Sequence, residues 1–137
     1  MRSIDPLRPR TAPLTLRGHT FDGVACERRL TKLSLLLVVK AGCQACDALL
    51  AVGPSAFDGF DVHYLAASDA PVFETFGRDV LRSSSALEAL EARWPPVYLV
   101  IDPALREVVA EGAVFDADQV RSEIAPHRLT CHSPGPK

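Results

Sequence analysis

Five consecutive apolar residues, Leu35 to Val39, are followed four positions later by Cys43 and then Cys46. This adjacency limits the folds open to the chain more than any other feature. An apolar run of that length containing β-branched residues reads as a buried strand. Gly42 supplies a turn, and Cys43 to Val52 then reads as a helix closed by Gly53-Pro54. A strand that delivers two thiols onto a helix N-terminus makes them reactive, because unpaired backbone N–H groups there favour thiolate. The pattern predicts thiol–disulfide chemistry.

The remaining composition narrows the setting. A chain of 137 residues, 47% hydrophobic and 23% charged, is expected to fold as one domain with its own core. A net charge of -2 gives no case for nucleic acid or a membrane surface as partner. Four cysteines are too few for a disulfide scaffold, and Cys26 and Cys131 lie far from the close pair. The N-terminal stretch has arginines but no apolar segment of signal length, and Pro6, Pro9 and Pro13 would break a helix there. The longest apolar stretch falls well short of the ~20 residues that span a bilayer. A cytoplasmic location without membrane insertion is therefore expected, and in a reducing compartment a cycling or metal-binding pair is favoured over a permanent disulfide.

Along the chain, residues 1–13 read as a flexible arm, 14–126 as the folded domain and 127–137 as a disordered tail. A short strand is expected at Leu14 to Leu16, and a turn at Asp22-Gly23 leading into a strand or short helix. A second long strand covers Asp61 to Ala66. Residues 67–82 lack a clean period and read as an irregular or partly helical insertion. Ser85 with Glu88 fits a capping box opening a helix over 85–93, which Pro95-Pro96 terminates. Val97 to Ile101 is a further strand, turned at Asp102-Pro103 into a return strand from Arg106 to Glu111 that Gly112 ends. Asp116 with Gln119 caps a last helix over 116–125, stopped by Pro126. The resulting fold class is α/β: one mixed sheet with parallel crossovers, a late antiparallel hairpin and helices on its faces.

This order, with Cys43-Gln44-Ala45-Cys46 after the first long strand and Pro96 opening a late one, resembles the thioredoxin-like superfamily over about residues 34–125. The resemblance implies a three-layer sandwich with a central mixed sheet. It also implies that Pro96 follows a cis peptide bond and lies against the disulfide; X–Pro bonds are where cis geometry costs only ~0.5–1 kcal/mol. The chain departs from the family pattern at informative places. Gly42 replaces a tryptophan, Gln44-Ala45 replace Gly-Pro, and Leu37 replaces a buried acid six residues before the first cysteine.

The expected function is that of a dithiol–disulfide oxidoreductase acting on a protein or small-molecule disulfide, recharged by an unidentified reductant. Cys43, at the helix N-terminus, is the expected nucleophile, and Cys46, one turn in, the resolving thiol. Gly42, Gln44, Ala45, Pro96, Lys40 and Trp94 are expected to line the site. Lys40 also reads as a solvated strand end, and Trp94 as a core residue. With Leu37 in place of an acid, a water or Asp47 is left to take the Cys46 proton. No cofactor and no metal are called for, although zinc or copper binding by the pair, or a redox-idle scaffold, are the alternatives. Cys26 is expected to be buried. Cys131-His132 forms at most a zinc half-site or a resolving thiol in the tail. His19, His63 and His127 are expected at the surface or at edges.

Overall fold

The computed structural model describes residues 10–67, 80–92 and 95–132, the last five as backbone only. Its eight strands are β1 (Arg10–Thr11), β2 (Thr15–Thr20), β3 (Ala25–Arg29), β4 (Ser34–Val39), β5 (Asp61–Ala66), β6 (Val80–Arg82), β7 (Val97–Asp102) and β8 (Glu107–Ala113). Its helices are α1 (Gln44–Val52), α2 (Ser84–Ala89) and α3 (Ala117–His132), with a 3-10 turn at Pro54–Ala56.

All six residues of β4 are buried, which is possible only for a strand covered on both faces. It accordingly sits at the centre of one sheet ordered β1-β8-β7-β4-β5-β6-β2-β3. β4 pairs parallel with β5 across the α1 crossover and antiparallel with β7 on its other side. The β7–β8 hairpin turns where expected: Asp102 accepts the Ala104 N–H through Oδ1 at 3.0 Å, an Asx turn.

Alternation along the strands splits the core in two. Leu35, Leu37, Val39, Tyr64, Tyr98 and Val100 face α1 and α3, packing with Cys46, Leu49, Val120 and Ile124. Leu36, Val38, Leu65, Leu81, Leu99 and Ile101 face the other way, against Ala86 of α2 and Leu90 just after it. Helices on one side, sheet, and helix on the other make the expected three layers.

Several local expectations are corrected. Arg10–Thr11 of the supposed arm pair with β8, where the Arg10 guanidinium meets Glu111 and donates to the Leu90 carbonyl at 2.8 Å. The end of the 67–82 insertion is a strand, β6, parallel to β5; residues 68–79 lie outside the described ones. Ser83, not Ser85, caps α2, accepting the Ala86 N–H at 3.1 Å. Gly112 lies inside β8 opposite Tyr98, and a Cβ there would come within 2.9 Å of the Tyr98 ring. Pro126 sits on an exposed face of α3, and the helix runs on to His132 through the region expected to be a disordered tail.

Candidate active site

The end of β4 determines where the thiols sit. After Val39 the chain leaves the sheet, and Gly42 takes φ +68°, a left-handed turn that glycine enters without a Cβ clash. Cys43 is then the N-cap of α1, with extended φ -131° and ψ 114°. The oxygen that usually caps a helix is replaced by sulfur: Cys43 Sγ accepts the Cys46 N–H at 3.1 Å. Cys43 is half-buried, whereas Cys46 is completely buried among the α1-side core residues. The two form a disulfide with Cα atoms 5.2 Å apart. Cys46 Sγ in turn accepts the Lys40 backbone N–H at 3.3 Å. Each sulfur therefore has a backbone donor, and both donors would favour a thiolate.

The Pro95–Pro96 peptide bond is cis, as expected. Val97 lies opposite Val38 and Ala113 opposite Val97, so Pro96 falls at the sheet end from which α1 departs. The Pro96 carbonyl accepts the Val114 N–H at 3.0 Å, fastening the β8–α3 loop to it. Lys40, Gly42, Cys43, Gln44, Ala45 and Pro96 thus gather at one end of the sheet. Gln44 is exposed and Ala45 packs against the core. The Lys40 side chain is exposed, and the contact it makes with the pair is through its backbone. Trp94 lies outside the described residues.

Beneath α1, Leu37 is fully buried, with Tyr64 and Tyr98 as its neighbours on the flanking strands. Tyr64 donates its hydroxyl to the Leu49 carbonyl of α1 at 2.8 Å. Tyr98 donates to Glu123 Oε1 of α3 at 2.6 Å, and burial, reinforced by Glu123, pushes its pKa well above the ordinary phenol value. Asp47, the acid suggested for proton removal, is exposed on the first turn of α1.

No protein-family model matches the chain, and no curated protein matches its sequence. Solved structures do match. The thioredoxin domain of a thiol-disulfide oxidoreductase from Bacteroides vulgatus superposes with TM-score 0.62 at 15% identity, over 89% of this chain and 99% of that one. A Chlorobium tepidum structure described as a putative thiol:disulfide interchange protein DsbE gives TM-score 0.61 at 14% identity, over 94% and 98%. A secreted Mycobacterium tuberculosis disulfide oxidoreductase gives 0.56 at 13%, over 80% and 94%. The chain has a thioredoxin fold.

In this thioredoxin fold the sequence located the two cysteines, Pro96 and the neighbours Lys40, Gly42, Gln44 and Ala45, but missed the residues packed beneath α1. The tyrosines flanking Leu37 read as ordinary strand residues, because nothing in a strand's own sequence states which helix its hydroxyl will meet. The β8–α3 loop was missed as well, although its capping signal was legible: Gln119 N–H donates to Asp116 Oδ1 at 2.7 Å. On the α2 side of the same sheet end lies an open cavity of about 430 Å³, lined by His19, Ala66, Arg82, Ser83, Ser84 and Leu87.

Other expected residues fall elsewhere. Cys26 is half-buried on edge strand β3 as a free thiol, rather than buried. His63 is not a surface residue; it is 7% exposed. Burial pushes its pKa below the ordinary 6.5, with nearby Arg28 adding to the shift and Asp61, 3.3 Å away, opposing it. No cluster of three or more metal-ligating side chains occurs among the described residues. The side chains of Cys131 and His132 lie outside them.

Proposed function

We propose that this protein is a dithiol–disulfide oxidoreductase. The observation that carries the reading is the Cys43–Cys46 pair at the N-terminus of α1, with a backbone N–H on each sulfur. The solved structures that share the fold are described as thiol-disulfide oxidoreductases and interchange proteins, which supports the same chemistry.

In the reducing direction, Cys43 thiolate attacks one sulfur of a substrate disulfide. A bond forms between Cys43 Sγ and that sulfur, and the second substrate sulfur leaves as a thiolate that takes a proton from water. Cys46 thiolate then attacks Cys43 Sγ, closing the protein disulfide and releasing the first substrate sulfur. Two electrons pass from the protein pair to the substrate, and an external dithiol restores the pair by the reverse sequence.

Physical asymmetry assigns the roles. Cys43 is the more accessible sulfur and caps the helix, where the dipole and the Cys46 N–H lower the cost of its negative charge. Cys46 is buried and meets the mixed disulfide only from inside. With Leu37 beneath it, the Lys40 N–H is the group that stabilises its thiolate.

The test uses single-cysteine variants and a peptide disulfide. Cys43→Ser is expected to abolish reduction. Cys46→Ser is expected to accumulate a mixed disulfide on Cys43, visible by intact mass, and Cys131→Ser to react like the parent chain. Loss of activity in Cys131→Ser, or full activity in Cys43→Ser, would overturn the assignment. The cytoplasmic setting is part of the same proposal. Acid-quenched, alkylated cells should carry the pair as two free thiols, and a fully oxidised pair would contradict that setting.

A further inference from the structure

The open cavity at the thiol end of the sheet has a polar lining that the redox chemistry does not use. Its polar side chains are His19, Arg82, Ser83 and Ser84, and no carboxylate lines it among the described residues. Ser83 is engaged within the fold: its hydroxyl caps α2 and donates to the Arg17 carbonyl at 2.5 Å. The cavity is therefore basic in character, set by an imidazole and a guanidinium.

Backbone pairing puts these two side by side. Val39, Ala66, Arg82 and His19 form one row across β4, β5, β6 and β2. Gly18 permits the approach of β2, because a Cβ there would fall 1.9 Å from the Arg82 carbonyl oxygen. Paired residues project from the same face, so His19 and Arg82 are neighbours. Two basic groups opposite one another add nothing to the pairing and repel whenever the imidazole is charged. The half-buried Arg82 guanidinium lies over the Phe21 ring, 5.0 Å from its centroid, which orients its plane. Its five N–H donors are enough to take a carboxylate in addition to the contacts it makes within the fold.

The cavity is joined to the dithiol through a single peptide group. Ala67, in its wall, donates its N–H to the Val39 carbonyl at 2.7 Å. The N–H of that same peptide group belongs to Lys40 and donates to Cys46 Sγ at 3.3 Å. One peptide plane thus accepts from the cavity wall and donates to the buried sulfur.

We propose that this cavity is a carboxylate subsite, with Arg82 and His19 as specificity-determining residues, and that the substrate is a disulfide carrying an acidic group near its reactive sulfurs. A half-buried guanidinium is screened less than an exposed one and binds an ionised oxygen more strongly than an amide or hydroxyl. This rests on the oxidoreductase reading and names its substrate class.

The experiment uses the full chain, pre-reduced and mixed in single turnover with two sets of disulfides. In one, linear peptide disulfides carry a single Asp walked through the positions flanking the cysteine, each with an Asn counterpart. The other pairs glutathione disulfide with its ethyl ester, which lacks the carboxylates. The readout is the ratio of second-order rate constants, acid over uncharged counterpart, so a variant with an altered overall rate still answers. The best-placed acid is expected to react roughly fivefold faster in the parent chain at low salt, and about 0.5 M salt to remove most of that preference. Arg82→Gln should bring the ratio to unity, His19→Gln should lower it by about half, and Arg82→Lys should retain most of it. A preference in the peptide set makes the acid a polypeptide side chain; one in the glutathione set makes it a small acid. No preference in either set, a ratio unchanged in both Gln variants, or one lost only in Lys40→Gln would overturn the inference while leaving the oxidoreductase reading intact. A parent chain that reduces none of the disulfides overturns both.

Discussion

His63 shows how one side chain can be misread from sequence and what its true position entails. In a strand of partly alternating character it looked like an edge residue, but β5 is an inner strand, and only 7% of His63 is exposed. Because burial lowers its folded-state pKa below 6.5, the unfolded chain binds the proton more readily than the folded one. The sign follows. The neutral form costs nothing above pH 6.5, and stability falls as the pH drops below that value toward the lowered folded pKa. Urea unfolding at about pH 8 and about pH 5 should therefore show an acid-side loss that shrinks in His63→Gln. An equal loss in parent and variant would place the sensitivity elsewhere. Gly42 marks the opposite case: its left-handed φ was foreseeable, because a strand feeding a helix within three residues needs a turn residue free of a Cβ.

At the scale of elements, legibility tracked burial. β4, β5 and β7 stood out because inner strands must be apolar on both faces, and the capping signals at Asp116 and Gln119 placed the start of α3. The β2–β3 hairpin stood out only at its Asp22-Gly23 turn and the start of β2; β3 itself stayed open between strand and short helix, since it is an edge strand with no fully buried residue. α3 outran its expected stop because Pro126 lies on the exposed face, where losing one backbone hydrogen bond does not unseat the Val120 and Ile124 contacts that hold the helix. Its other tether is the Tyr98 hydroxyl on Glu123, with Gly112 leaving room for the ring. Tyr98→Phe removes that bond and lets Glu123 turn to water, so a loss of about 1 kcal/mol is expected in denaturant unfolding. A loss of about 3 kcal/mol or more would mean the hydroxyl serves a buried partner other than Glu123.

For the whole molecule, the sheet order explains why the chemistry collects at one end. Antiparallel pairing of β4 with β7 and of β7 with β8 brings the close of β4, the start of β7 and the close of β8 to the same edge. Three loops distant in sequence thus share one surface: Gly42-Cys43, Pro95-Pro96 and Val114-Phe115. The first two were legible as motifs. The third was not, because exposure belongs to the assembled molecule and cannot be read from a phenylalanine in a sequence. The departures at Gly42, Gln44-Ala45 and Leu37 are accommodated within this frame: Leu37 packs between two tyrosines, and backbone donors serve the sulfurs where a buried acid is absent.

The central claim is that Cys43 and Cys46 form a reversible two-electron couple. The most direct measurement equilibrates the protein in a graded series of dithiol redox buffers, quenches with acid, alkylates, and counts free thiols at each position by peptide mass. The account predicts that Cys43 and Cys46 convert together along a single two-electron curve, unchanged in Cys131→Ser. Cys43 and Cys46 that stay reduced across the whole series, or that oxidise separately onto Cys26 or Cys131, would contradict it.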